Sequence, residues 1–388
     1  MASDVPETRA NSGDEYKRLL ALLNDYGISE RLQRLLALQL AGGCTRTKNG
    51  KTVRGEINLQ VVVDPIVDQT GLLELFSRLT SNSTAINGTD VSFGGLFANA
   101  SGRSLENGVL LDDQYDWYFI YQASDLSHQS VRALGGLLDS GTHTVTKSGI
   151  HERLENHASH LLIDTPKYGH WDPYEPLVEQ ISPDGEIASK VDLVAASSSP
   201  EPVSYDVEAF TVDEAAEYLG AVRMITPTVS DTLAEEIAAS THHMNEAIEE
   251  VGVPLQIHPN AVRRLIEANA RLTSSETVEE SHLTNVVDLI EECLEQLGVT
   301  TEEEVVEYDV EVIETGRAKT DREHVKGIKM IIRELQEMYD GEPGAPEEKV
   351  YQRAGQEGIP PKRTKHEIQK LHDKGEIYSP DQDHLRLV

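Results

Sequence analysis

The segment His160–Asp192, HLLIDTPKYGHWDPYEPLVEQISPDGEIASKVD, constrains the fold of this chain more than any other. It opens on a short apolar run, Leu161–Ile163, long enough for a buried strand. Thr165-Pro166-Lys167-Tyr168-Gly169 then reads as a turn, and Asp172–Pro176 is too rich in proline for a helix or a sheet interior. A strand that feeds a rigid loop at a sheet edge is a frequent setting for a functional site.

The chain has 388 residues, enough for two or three domains and a sizeable core. Its 67 acidic residues against 34 basic ones give a formal charge of −33, spread along the whole length, and aromatic residues make up only 5%. This balance predicts a salt-adapted cytoplasmic protein. It argues against a freestanding, high-affinity binder of nucleic acid, because such a charge repels phosphate in dilute salt. In molar salt the Debye length falls to roughly 3 Å, which weakens repulsion and attraction alike. Cys44 and Cys293 are the only cysteines, a usage that suits a reducing compartment and excludes a cysteine-based zinc cluster. The first residues, MASDVPETRANSGDE, are polar and acidic and do not form a signal peptide. No apolar run reaches the about 18 residues of a membrane-spanning helix.

In chain order, residues 1–13 read as a disordered tail. Leucines at helical spacing, Leu19, Leu20 and Leu23, then Leu32, Leu35 and Leu36, predict a packed helical pair divided at Gly27 and stopped at Gly42-Gly43. A polar turn leads to Arg54-Gly55-Glu56-Ile57. Asn58–Val63 is an apolar strand, Gly71–Arg78 a helix, and Trp117–Ile120 a buried strand. Ser127–Asp139 reads as a helix, and the alternation of Thr142–Ile150 predicts a β-hairpin arm. Glu208–Ala221, Thr228–Val251 and Asn260–Thr273 follow as helices. From Glu276 to Gly316 there is no lysine or arginine, as in a helical end followed by an acidic linker.

Residues 322–388 form a separate module. Val325, Ile328, Ile331, Ile332, Leu335 and Met338 give an amphipathic helix, Pro346 starts a second, and Thr364–Lys374 is a third. Glu376–Ser379 and His384–Val388 can pair as a small wing, so the module reads as a winged helix. Lys362, Arg363, Lys365, Lys370 and Lys374 gather positive charge in an acidic chain, which suits a major-groove or phosphate contact and equally a solvated or protein-docking helix.

Taken together, Pro166–Gly169, Asp172–Pro176 and Asp192-Leu193 resemble the sensor-1 region of minichromosome maintenance (MCM) proteins, AAA+ replicative helicases, whose pattern is close to AANPKYGRYDPYEP followed by SRFDL. Leu38–Gly43 is similar to that family's LQLFGG, Arg54–Ile57 to RGDI, Phe93–Leu96 to AAGLT, Glu106–Leu110 to EAGAL, Glu267–Arg271 to EASAR, and Lys374–Val388 to KGEIYEPKPGHLRLL. The resemblance runs from about Asp14 to Val388 and implies an α/β AAA+ core at 14–200, an all-α lid at 201–300, an acidic linker at 301–321 and a winged helix at 322–388. The large N-terminal region that carries an OB-fold and often a zinc site in the family has no counterpart here, which leads us to expect no autonomous ring.

The resemblance also implies where the chemistry would sit, and there the chain departs from the pattern. At the family's phosphate loop, GDPGTGKS, this chain reads VDPIVDQT: Val63, Ile66 and Asp68 replace the glycines, Gln69 replaces the lysine, and Asp64, Pro65 and Thr70 remain. Such a loop needs glycines so that backbone N–H groups can turn inward toward phosphate, and a lysine to neutralise it. At the metal-binding DEFD the chain has Tyr121 and Gln122, at the water-orienting asparagine Thr165, and at the arginine finger Lys190. Lysine lacks the guanidinium fork. Arg223 fits a lid arginine, and the sensor-2 arginine falls near Ile257. The family's first channel insert shrinks here to Ala98–Leu105, expected to be a turn. Its second hairpin, TVSVAKAGI, is matched by Thr142–Ile150, with Lys147 at the DNA-contacting lysine. We therefore expect a degenerate, haloarchaeal-type MCM-like protein without ATPase activity and without a cofactor. It would contact DNA weakly through Lys147 and the winged helix, and would act on MCM subunits or other replication proteins. The alternatives are an ATP- and Mg²⁺-dependent helicase subunit and a mobile-element competitor of the host helicase.

Overall fold

A computed structural model describes residues 12–299 apart from 49, 102–103, 113, 148–149, 172–179, 181–184, 198–202 and 252–254, and residues 328–387 apart from 330, 334, 337, 340–343, 357–363, 366–367, 369–370, 373–376 and 381–383. The chain divides into two units, one among the described residues before 300 and the other among those after 327. The acidic linker 301–321 and most of the N-terminal tail lie outside the described residues.

The first unit opens with α1 (Ser12–Asn24) and α2 (Glu30–Ala41). The leucine spacing explains both: Leu19, Leu23, Leu32, Leu35 and Leu36 are all fully buried. Ser29 caps α2 by accepting from the N–H of Leu32. The two glycines that end α2 have different reasons. Gly42 adopts φ +64°, and a Cβ on Gly43 would lie 2.8 Å from Cα of Arg264. The polar turn expected next is a hairpin, β1 (Arg46–Lys48) with β2 (Lys51–Val53). Its cross-strand hydrogen bonds form without an apolar face, so hydrophobic patterning does not reveal it.

Then come β3 (Leu59–Val63), α3 (Gln69–Leu79), β4 (Ser83–Asn87) and the short α4 (Phe93–Leu96). A second hairpin, β5 (Ala98–Ser101) with β6 (Ser104–Asn107), stands where a bare turn is expected; its short strands, ANAS and SLEN, are made mostly of small and polar residues and give little apolar signal. β7 (Trp117–Tyr121), α5 (His128–Ser140), β8 (Thr142–Lys147), β9 (Ile150–Glu155), β10 (Ser159–Asp164), α6 (Gly185–Ala188) and β11 (Leu193–Ser197) complete the α/β part. β8 and β9 form the expected hairpin arm, though its return strand runs on to Glu155, past the end of the alternation. His143 at its base packs 4.7 Å from the Phe97 ring.

Strands β11, β3, β10, β7 and β4 lie side by side in that order, every neighbour pair parallel. A parallel sheet covered on both faces needs strands that are apolar throughout. All five residues of β3, all six of β10 and all five of β11 are buried. Alternate residues go to opposite faces. Val61, Phe119, Leu161, Ile163 and Ala195 join the cluster that holds α1, α2 and α3, whereas Val62, Ile120, Leu162, Val194 and Ala196 join the one around α5.

Four helices follow: α7 (Val212–Arg223), α8 (Asp231–Val251), α9 (Pro259–Leu272) and α10 (Glu280–Gln296). Two arginines tie them to the C-terminus of α2. Arg223 donates from Nε to the Leu40 carbonyl at 2.7 Å, and Arg271 donates from Nη1 to the carbonyls of Ala41, Gly42 and Gly43 at 3.1, 2.8 and 2.8 Å. Cations there satisfy orphan carbonyls and complement the helix dipole.

The second unit has its own core of Ile328, Ile331, Ile332, Leu335, Val350, Ala354, Ile368, Leu371, Ile377 and Leu385. Helical residues from 328 onward present their isoleucines to it, but Met338, expected on the same inward stripe, is 69% exposed. α11 spans Glu347–Gln356, one residue after the Pro346 start expected. β13 (Ile377–Tyr378) and β14 (His384–Leu387) pair as expected, and β12 (Ala345–Pro346) adds a third strand beside β14. Among the described residues no helix is long and apolar enough to cross a membrane.

Candidate functional site

The parallel sheet has two edges, and the candidate residues divide between them. Each strand delivers the residues after its last position to the carboxyl edge, where open α/β sheets bind ligands. The β3–α3 loop brings Asp64, Pro65, Gln69 and Thr70 there; β7 brings Tyr121 and Gln122; β10 brings Thr165.

The β3–α3 loop is closed by its own carboxylates. Asp68 is the N-cap of α3, its side chain accepting from the N–H of Gly71 at 2.9 Å. Asp64 accepts from the N–H of Ile66 at 2.9 Å. A helix N-terminus attracts anions because its first N–H groups lack partners and its dipole is positive there. Here negative side chains already occupy that place. Val67 is 5% exposed and turned into the core, while Ile66 is 81% exposed at the loop tip. No lysine or arginine stands in the loop, and Gln69 and Thr70 begin the helix with neutral side chains.

Tyr121 packs against the core cluster that holds α3. Gln122 adopts left-handed backbone angles, φ 52° and ψ 45°, and its Oε1 accepts from Thr89 Oγ1 at 3.0 Å. The neighbouring turn is tight: a Cβ on Gly88 would fall 2.0 Å from the Gln122 carbonyl oxygen. Tyr121 and Gln122 are thus built into the β4 and β7 turns.

One acid at this edge is absent from the sequence reading. Asp164, the last residue of β10, is 1% exposed; its carboxylate accepts from the N–H of Ser124 at 2.8 Å and from Nε2 of Gln60 at 3.0 Å. Burial raises its pKa, against the lowering effect of the Ser124 and Gln60 hydrogen bonds. The signal available was a polar residue inside each of two apolar strands, Gln60 in LQVVV and Asp164 in SHLLID, and only the β3–β10 register joins them. With Asp64, Asp68 and Asp164 on one edge and no guanidinium or ammonium in the β3–α3 loop, these residues do not fit the phosphates of a nucleoside triphosphate. Among the described residues no group of three or more histidine, cysteine or acidic side chains could hold a metal ion.

Lys190 is elsewhere. It lies three residues before the start of β11 and so at the amino edge, where its Nζ is 3.7 Å from Asp139. Beside it, Asp192 is buried and accepts from Arg54 at 2.8 and 3.0 Å, from the N–H of Asn58 at 2.8 Å and from Nη2 of Arg264. Burial alone would raise the Asp192 pKa, but Arg54 and Arg264 outweigh it and hold the carboxyl below the usual range. The structure thus places the residues of the candidate nucleotide site on one edge and Lys190 on the other, within one chain.

Of the candidate DNA-contacting residues, Lys147 ends β8 opposite Ile150, next to the hairpin tip. Lys365 is exposed and follows the buried Thr364. Lys362, Arg363, Lys370 and Lys374 lie outside the described residues.

The chain matches the MCM P-loop domain family over residues 8–203, just over half its length. It is 23% identical over 427 residues to an uncharacterized MCM-type protein of Methanocaldococcus jannaschii, covering 96% of this chain and 54% of that one. It is 23% identical over 330 residues to the minichromosome maintenance protein MCM of Saccharolobus solfataricus, covering 78% and 48%. With the DNA replication licensing factor MCM3 of Gallus gallus it shares 28% identity over 172 residues, 42% of this chain and 21% of the relative. The chain spans about half the length of the first two.

Proposed function

This chain belongs to the MCM family, and we propose that it serves DNA replication or repair as an MCM-like protein that neither binds nor hydrolyses ATP. The observation that carries this reading is the β3–α3 loop, whose helix N-terminus is capped by Asp68 and whose turn is held by Asp64. A phosphate would have to displace a carboxylate from the N–H it occupies, next to a second carboxylate. Tyr121 and Gln122 supply no metal-binding acid, and Thr165 stands where the family has its water-orienting asparagine. These losses cannot compensate for one another, since oriented charge from a finger alone is worth about 10³–10⁵ in rate.

In this reading α7–α10 act as the all-α lid, and the second unit is a winged helix. DNA contact comes from Lys147 with Lys362, Arg363, Lys365, Lys370 and Lys374. The protein works as an interaction or regulatory partner of MCM subunits, without ATP or Mg²⁺ as cofactor. Calorimetry in molar KCl with Mg²⁺ tests it: no heat of ATP binding and no turnover are expected. A micromolar dissociation constant, or turnover lost in Thr70→Ala, would overturn it in favour of an active helicase subunit.

A further inference from the structure

The turn between α9 and α10 is closed by a histidine. α9 ends at Leu272 with Thr273 as its C-cap, and Ser274 follows in the left-handed region at φ 54°. The N–H of Ser274 goes to the Arg271 carbonyl and that of Ser275 to the Ala270 carbonyl, each at 2.8 Å. Such an ending usually falls on glycine, because a Cβ is unfavourable at positive φ. Serine takes the place here, so the turn is strained and depends on the contacts around it.

His282, 5% exposed in the first turn of α10, supplies one of them. Its Nδ1 is 2.9 Å from the backbone nitrogen of Glu279, the N-cap of α10, and its Nε2 is 2.8 Å from Thr273 Oγ1. A backbone N–H can only donate, so Nδ1 accepts and the neutral ring carries its proton on Nε2. That proton is donated to Thr273 Oγ1, whose own hydrogen goes to the carbonyl of Asn269 or Ala270. One ring thus connects the start of α10 to the last carbonyls of α9. A second proton has no place in this arrangement, since on Nδ1 it would point at the Glu279 N–H.

We propose that His282 is a proton-operated clasp: neutral, it holds the α9–α10 turn closed, and protonated, it lets go of the Glu279 N–H and the turn opens. The opening reaches beyond the turn. Thr228, in the connection between α7 and α8, donates to the Glu276 carbonyl at 3.0 Å and accepts from the N–H of Val278 at 2.9 Å, so the two connections loosen together. Charges on the packed elements leave the ring to its own neighbours. Arg271 of α9 is taken up by the carbonyls of Ile225 and of Ala41–Gly43, and Arg34 of α2 by Glu292 and the Asn285 carbonyl. Asp231, Glu276 and Glu280 are exposed. Burial lowers the His282 pKa, and the Glu279 carboxylate opposes this by raising it. The sign follows: a depressed histidine pKa favours the closed turn, with full effect above the unfolded value of about 6.5 and a loss as pH falls below it. The clasp lies outside the β3–α3 loop, so it stands or falls separately from the absence of ATP binding.

The test is hydrogen exchange of the full chain in molar KCl from pH 8 to pH 5, read by mass spectrometry on peptides that cover residues 273–285. Protection factors there should fall by up to about 10-fold per pH unit below about 6.5, while peptides covering β3 stay protected. His282→Gln keeps an acceptor for the N-cap N–H and does not titrate, so it should stay protected throughout. Glu279→Gln should move the fall to lower pH. A nitrogen-15 spectrum of the histidine rings, with the His282 signal identified by its loss in His282→Gln, should show Nδ1 without a proton at pH 8. Protection that does not change with pH overturns the proposal, as does an unchanged fall in His282→Gln. Equal loss in the β3 peptides would assign the effect to unfolding of the whole unit and overturn it too, and so would a proton on Nδ1 while the turn is closed.

Discussion

Asp192→Asn removes the one charge on which two guanidinium groups converge. The Asp192 side chain is 2% exposed and its partners on Arg54 and Arg264 are 17% and 5% exposed, so all three are desolvated. The amide keeps the shape and one acceptor oxygen but loses the charge and presents N–H toward cations. Breaking a buried ion pair from one side costs about 3–5 kcal/mol, because the remaining charge is left uncompensated. Two stranded arginines put this site at the upper end of that range. The Arg54 and Arg264 bonds also hold the end of β2 and the flank of α9 to the chain just before β11. The loss should therefore appear as global destabilisation of the first unit. Trp117 and Trp171, the chain's two tryptophans, both lie there, so selectively excited tryptophan fluorescence during urea unfolding in molar KCl reports on that unit alone. The expected result is a midpoint lowered by about 1 M or more at a slope of about 3 kcal/mol/M. The sign with pH follows from the lowered pKa: the carboxylate's contribution is present above its unfolded value and fades as pH falls through the folded value. The difference between parent and variant should shrink in acid. A loss below about 1 kcal/mol at neutral pH would refute the reasoning, since it would mean water solvates the two arginines once the charge is gone.

His160 is buried, stacked on the Tyr118 ring at 5.3 Å and bonded to Asn58, and burial lowers its pKa to about 3. Its neutral form is favoured by folding, so stability should fall as pH drops from about 6.5 toward 3, by at most about 1.4 kcal/mol per pH unit; a His160→Gln variant with the same acid slope would show that other groups carry it. Asp68→Ala should cost about 1 kcal/mol through loss of the α3 N-cap and still confer no ATP affinity, measured by denaturant titration and calorimetry. Changing Lys362, Arg363 and Lys365 to alanine should reduce the salt slope of duplex binding by up to about 2.7, at about 0.9 per phosphate contact. Tight binding in molar salt that ignores these three residues would place the DNA surface elsewhere.

What was legible in the sequence is what depends on neighbours along the chain. The leucine spacing of α1 and α2 is periodic because burial of one helix face is periodic, and β3, β7 and β10 read as continuous apolar runs because both faces of the sheet are covered. The altered loop Val63–Thr70 could be read directly, because the glycines and lysine it lacks would act through one contiguous stretch of backbone. The hairpins β1–β2 and β5–β6 were not legible: backbone pairing holds them, and polar side chains leave no pattern. Met338 lies three residues after the buried Leu335 yet points outward, because Tyr339, four residues after Leu335, takes the inward place on that turn.

The rest only the tertiary structure decided. Asp164 meets Gln60 and Ser124 across residue separations of 104 and 40, and Asp192 meets Arg54 and Arg264 across 138 and 72. Whether a carboxyl in a chain is solvated, paired or neutral depends on what folding brings within a few ångströms of it, and local sequence carries no record of that. The division of the candidate residues between two sheet edges has the same origin. Thr165 and Lys190 lie in one continuous stretch of chain, and the parallel order of β10 and β11 sends them to opposite edges.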